Sequence, residues 1–118
     1  MATDPIYPGN GVAIVKDEIV AADGAVTRYY ALDHNKFTSI NVSKDGETVT
    51  IEVTNDLLDA AGDKLTDLED ASVVWNSRSS DTTDYLAGDS SGLTGVKIST
   101  AGAVTNDVDY SIIQYMKR

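Results

Sequence analysis

The pattern of apolar and polar positions is that of strands. In "TSINVSKDGETVTIEVT", Ile40 and Val42 alternate with polar residues, Lys44-Asp45-Gly46 supplies a turn, and Val49, Ile51 and Val53 alternate again. Such period-two alternation predicts an antiparallel hairpin with one face on a core and the other in water. Val12–Val15, Ile19–Ala22 and Val26–Leu32 are further β-prone runs, and Asp23-Gly24 between the last two predicts a second hairpin. Later in the chain come Ala71–Asn76, Val96–Ser99, Ala103-Val104 and Tyr110–Met116. In the last of these Tyr110, Ile112, Gln114 and Met116 share one face, and Ser111, Ile113 and Tyr115 the other.

Two stretches break the pattern. Leu57, Ala61, Leu65 and Leu68 fall at helical spacing in "NDLLDAAGDKLTDLED", but Gly62 sits mid-span and Asp59, Asp63 and Asp67 would stack like charges. A short helical turn over 56–61 within a loop is the expectation. Ser77 to Gly92, rich in Ser, Asp, Thr and Gly, is loop by composition. Pro5 and Pro8 bracket Ile6-Tyr7 and discourage helix, which predicts an extended N-terminal arm over 1–10. Residues 11–118 then form a single all-β sandwich domain of seven or eight short strands.

Composition narrows the function. Nineteen acidic residues against nine basic give a net charge of -10, which repels phosphate backbones and anionic lipid, so neither nucleic acid nor membrane is an expected partner. The 118 residues include no cysteine, which removes disulfides, thiolate zinc sites and cysteine nucleophiles. The N-terminal stretch has no basic n-region, and its apolar run stops at Lys16-Asp17-Glu18. The expectation is a product made in a cytoplasm and not exported by the standard route.

The C-terminal half resembles bacterial immunoglobulin-like domains of group 2, which occur in adhesins and in tailed-phage virion proteins. The residues that carry the likeness are Val73-Val74-Trp75-Asn76-Ser77, then Ile98-Ser99-Thr100-Ala101-Gly102-Ala103-Val104-Thr105, then Tyr110-Ser111-Ile112-Ile113. The resemblance implies an immunoglobulin-like antiparallel β-sandwich with a binding or structural habit and no catalytic residues. Trp75, the single tryptophan, is expected as a core or rim anchor, and Tyr110 as a tyrosine-corner-like residue bonded to nearby backbone.

One string points to chemistry. Gly88-Asp89-Ser90-Ser91-Gly92 matches G-x-S-x-G and looks like a chymotrypsin-like nucleophile segment, with His34 as the only histidine. A chymotrypsin-like cleft takes two β-barrels, and a hydrolase elbow needs a helix after the serine and a histidine downstream. Neither setting is available, so "LAGDSSGLTG" is expected as a mobile contact loop, His34 as an exposed turn residue, and no catalytic residue is assigned. Asp81, Asp84 and Asp89, or Asn106, Asp107 and Asp109, offer oxygen ligands for calcium but not at EF-hand spacing, so no metal or other cofactor is expected.

Together these point to a non-enzymatic structural protein of a bacteriophage virion, assembled in the host cytoplasm. A capsid decoration or cement subunit is the leading form, binding the major capsid protein or other virion subunits and forming homo-oligomers. The expected interface residues are Ile6, Tyr7, Tyr29, Tyr30, Tyr115, Met116 and Arg118. The alternative is a carbohydrate- or receptor-binding adhesion module of a tail fibre or bacterial surface protein.

Overall fold

The computed structural model describes residues 11–115. The N-terminal arm 1–10, with Ile6 and Tyr7, and the terminal Met116 and Arg118 lie outside the described residues. The chain is all-β. Eight strands, β1 Gly11–Ile19, β2 Thr27–Ala31, β3 Phe37–Ser43, β4 Val49–Thr54, β5 Asn76–Asp81, β6 Tyr85–Ser91, β7 Gly95–Ser99 and β8 Val108–Tyr115, are joined by loops and one 3-10 turn, Ala21–Asp23.

The strands form two four-stranded antiparallel sheets with orders β1-β8-β3-β6 and β2-β7-β4-β5. β1 pairs with β8, β2 with β7, β3 with β6 and β4 with β5, so partners nest from the ends of the chain inward. Two further pairings, β3 with β8 and β4 with β7, complete the sheets. This is the strand order of a double-sheet jelly roll. It departs from the immunoglobulin-like order, in which the first two strands pair within one sheet. Here β1 and β2 lie in different sheets.

The alternation fixes what is buried. Ile40 and Val42 of β3, Val108, Tyr110 and Ile112 of β8, and Ile19 of β1 point inward from one sheet. Val49, Ile51 and Val53 of β4 meet them with Val96 and Ile98 of β7 from the other. Each such side chain contributes about 1.5–3 kcal/mol by leaving water.

Both predicted turns form, and neither closes a hairpin. Asp45 and Gly46 have φ of 49° and 82°, the left-handed pair that Asp-Gly favours, and the Glu47 amide donates to the Lys44 carbonyl at 2.9 Å. The chain nevertheless crosses here from one sheet to the other. Both edges of β3 are taken by β8 and β6, and both edges of β4 by β7 and β5, so the two strands face each other across the core. At Asp23-Gly24 the Asp23 carboxylate accepts from the Val20 amide at 2.9 Å, and the chain again changes sheet.

Three other expectations need correction. No helical turn forms over 56–61. Ala71–Asn76 is not a strand, because Asp70 turns the backbone by accepting from the Ser72 amide at 2.8 Å and its hydroxyl at 2.7 Å, and β5 starts after Trp75. The polar stretch from Ser77, expected as loop, carries both β5 and β6, whose backbones pair with β4 and β3 whatever their side chains.

Polar side chains seal the seams between the sheets. Where β1 meets β2, the Arg28 guanidinium donates to the Glu18 carbonyl at 2.8 Å, to the Tyr110 hydroxyl at 2.9 Å and to Asp23 at 3.2 Å. The Tyr30 and Tyr110 hydroxyls also bond each other. Tyr110 therefore ties β8 to β2 by side chains and makes no tyrosine-corner bond to nearby backbone. Burial, followed by the bond to Tyr110, raises the pKa of the Tyr30 phenol.

At the β3–β4 crossover, Lys44 is 0% exposed. Its ammonium donates to Ser79 Oγ at 2.7 Å, to the Asp81 carbonyl at 2.9 Å and to Asp81 Oδ1 at 3.2 Å. The Asp81 carboxylate, 65% exposed, is held below the usual carboxylate range first by the Lys44 hydrogen bond and then by the Thr83 amide. Lys44→Ala leaves a hole and an unpaired Asp81 carbonyl, and should cost about 2–4 kcal/mol in urea unfolding. Lys44→Met keeps the volume but removes the same donor, and should cost less than Lys44→Ala, about 1–3 kcal/mol. A carboxylate whose pKa is depressed by folding stabilises above its unfolded value and loses that contribution as pH falls through its folded one. Stability carried by Asp81 should therefore fade below about pH 4 in the wild type and be smaller in Lys44→Met, where the Thr83 amide remains.

Candidate functional site

One end of the sandwich carries the longest connection, residues 55–75. The ends of β2, β4, β6 and β8 and the starts of β1, β3, β5 and β7 all lie there, as the pairings of Ala31 with Gly95, Thr54 with Gly95, Phe37 with Tyr115 and Gly11 with Tyr115 require. Gln114 fixes this end from inside. Its amide donates to the Asp33 carbonyl at 2.9 Å and to Thr38 Oγ1 at 3.1 Å, and its carbonyl accepts from the Asp33 amide at 3.0 Å. The β2–β3 turn with His34 is thereby fastened to β8.

The long β4–β5 connection, residues 55–75, folds back on itself without regular structure. The Leu65 amide donates to the Leu57 carbonyl at 2.9 Å, and Leu58 bridges to Lys64. Asp59 Oδ1 accepts from the amides of Ala61 at 2.9 Å and Asp63 at 3.0 Å, and Gly62 takes a φ of 85°. These Asp side chains bond to backbone two and four residues on, which competes with a helix and explains why leucines at helical spacing do not form one. Asp56 clasps the loop's two ends: its carboxylate accepts from the Val74 amide at 2.7 Å, while its carbonyl accepts from the Thr94 hydroxyl at 2.7 Å.

Between this loop and the β2–β3 turn opens a cleft of about 560 Å³. Its walls are mainly aliphatic, from Leu32, Leu57, Leu58, Leu65 and Leu68, with His34 and Lys64 among the polar lining groups. Leu57 and Leu58 remain 51% and 58% exposed, unusual for adjacent leucines in an otherwise polar loop. Leu68 lies against Gly95, where a Cβ would stand 2.7 Å from Leu68 Cδ2, so the glycine makes room for the loop. The cleft suits an apolar side chain or two with a polar tip. It was hidden in the sequence because the same leucines suggested an amphipathic turn.

A second feature lies on the outer face of the β2-β7-β4-β5 sheet. Trp75 is half-buried there, outside the core, with its ring 5.8 Å from that of Tyr29. The Lys97 ammonium stands 4.8 Å from the Trp75 ring centre and 5.8 Å from that of Tyr29, and pairs with Glu52 at 3.6 Å. These are cross-strand neighbours on β2, β7 and β4, with Trp75 folding in beside β5.

The remaining expected site residues are scattered. Tyr30 turns inward to Tyr110. Tyr115 stacks at 5.6 Å on Phe37, on the other sheet from Tyr29. Ser90 lies in β6, its backbone opposite Thr38, so "LAGDSSGLTG" is largely an edge strand and not the loop expected from its glycines. His34 is exposed in its turn, and its carbonyl accepts from the Gly92 amide at 3.0 Å. Asp81 and Asp84 bond to the Lys44 ammonium and amide, and among the described residues no group of three His, Cys, Asp or Glu is placed to hold a metal ion.

Removing the clasp with Asp56→Ala should speed amide exchange across 55–75 about tenfold, equivalent to about 1.4 kcal/mol, and leave the exchange order of the core strands unchanged. Exchange rates that did not change would show that the loop is held otherwise. Compared with family models, with curated proteins and with solved structures, the chain gives no match.

Proposed function

We propose that the chain is a non-enzymatic structural subunit of a bacteriophage virion, a capsid decoration or cement protein, that docks through the leucine-lined end of its sandwich. The observation that carries this reading is the pair of exposed leucines beside an apolar cleft, at the end of the fold where Gly11 pairs with Tyr115. An apolar patch framed by acidic loop residues is a usual form of protein-binding surface. Two further features support the reading. Double-sheet jelly rolls are used by viral capsid subunits, a fold-level analogy only. The strongly negative charge keeps such a subunit apart from nucleic acid and from copies of itself until a specific surface engages.

A second reading, a carbohydrate- or receptor-binding adhesion module, is favoured by Trp75 and Tyr29 on a solvent-facing sheet, because aromatic rings beside Lys and Glu can stack on and hydrogen-bond to a sugar. Co-sedimentation with empty phage capsids separates the two. The decoration reading expects the wild type to pellet with shells, and Leu57→Ser with Leu58→Ser to bind at least tenfold more weakly at an unchanged melting temperature. Trp75→Ala should bind shells as well as wild type does. A protein that never binds a shell but binds a glycan array through Trp75 would replace this reading with the second.

A further inference from the structure

Where the 55–75 connection turns back on itself it closes a short antiparallel bridge. The Leu65 amide donates to the Leu57 carbonyl at 2.9 Å and the Asp59 amide to the Asp63 carbonyl at 2.8 Å, with Leu58 opposite Lys64 between them. In an antiparallel pair of this kind the ladder bonds belong to the flanking residues, and the N–H and C=O of the middle pair point away from each other. Among the described residues neither backbone group of Leu58 makes a hydrogen bond. Leu58 thus presents a donor and an acceptor along an unpaired edge, beside a side chain that is 58% exposed and lines the cleft. An unpaired edge next to an apolar cleft is the form of site that takes an extended peptide as an added strand.

Charge narrows the occupant. Residues 55–75 carry Asp56, Asp59, Asp63, Asp67, Glu69 and Asp70 against the single cation Lys64, and Asp56 and Asp67 line the cleft itself. A second copy of a chain with net charge -10 is repelled from such a rim, whereas a segment with Lys or Arg beside its apolar side chain is attracted. We infer that the cleft binds an extended basic segment of a partner protein, which pairs with the Leu58 edge, sets an aliphatic side chain against Leu57, Leu58 and Leu65, and lays a flanking Lys or Arg on the acidic rim at Asp67. This rests on the preceding reading for the place of docking and adds the chemistry of what docks there.

The probes are two peptides, acetyl-Arg-Val-Leu-Val-Arg-amide and acetyl-Glu-Val-Leu-Val-Glu-amide, titrated into the isotope-labelled full chain and followed by amide resonances. The basic peptide should move the resonances of residues 57–68 and bind at least about tenfold more tightly than the acidic one, with the difference shrinking at high salt. At saturation the Leu58 amide should exchange with solvent at least about fivefold more slowly, the mark of a new backbone bond. Asp67→Asn keeps the oxygen that accepts from the Glu69 amide and should weaken the basic peptide about threefold. Equal affinities for the two peptides, shifts confined to another surface, or a Leu58 amide that exchanges at its free rate would each overturn the inference. If shells bind through Leu57 and Leu58 while neither peptide binds, the inference fails and the docking reading stands. If the basic peptide binds as described while shells never do, the inference stands and the virion reading fails.

Discussion

The nested antiparallel pairing, with β1 against β8 and β4 against β5, is the constraint on which the rest of this structure depends. It puts consecutive strands in opposite sheets at almost every step, so the loops cross between sheets instead of closing hairpins. It also brings the start of β1, the end of β8, the β2–β3 turn and the long 55–75 connection to one end of the sandwich. The leucine cleft exists because of that convergence. Such pairings between distant parts of the chain make folding slow relative to a fold of local hairpins.

The apolar core could not hold this arrangement alone, since two sheets meeting face to face leave open seams along their edges. Buried or half-buried polar groups close them. Arg28 with Tyr30 and Tyr110 joins β2 to β1 and β8, Lys44 joins the β3–β4 crossover to β5, and Gln114 joins β8 to the β2–β3 turn and β3. No buried side-chain polar atom among the described residues lacks a partner. These bonds specify which strand lies over which, because an apolar side chain could slide by a residue pair where a bonded lysine or glutamine cannot.

Much of the sandwich was legible in the chain. Alternation at Ile40–Val42, Val49–Val53 and Tyr110–Gln114 identified inward faces correctly, because burial on one side imposes period two whichever sheet a strand joins. For the same reason alternation said nothing about pairing, and the Asp45-Gly46 and Asp23-Gly24 turns suggested hairpins that do not form. β5 and β6 were invisible because Ser, Asp and Gly carry little strand preference, and their pairing comes from the backbone of β4 and β3. Trp75 was expected as a core or rim anchor, and after the Asp70 turn it packs half-buried on Tyr29 at the outer face of the second sheet and not in the core. The leucine cleft had a signal, four leucines in an acidic loop, but helical spacing suggested the wrong partner for them.

The pairing itself is the claim on which the seams and the cleft rest, and cross-strand nuclear Overhauser effects measure it most directly. The account predicts contacts between the backbone protons of Ile40 and Ile112, and between those of Thr50 and Ser99, with none between β3 and β4 beyond the Lys44–Glu47 turn. A ladder of effects running from Val42 and Val49 down β3 and β4 would make them a hairpin in one sheet and contradict it.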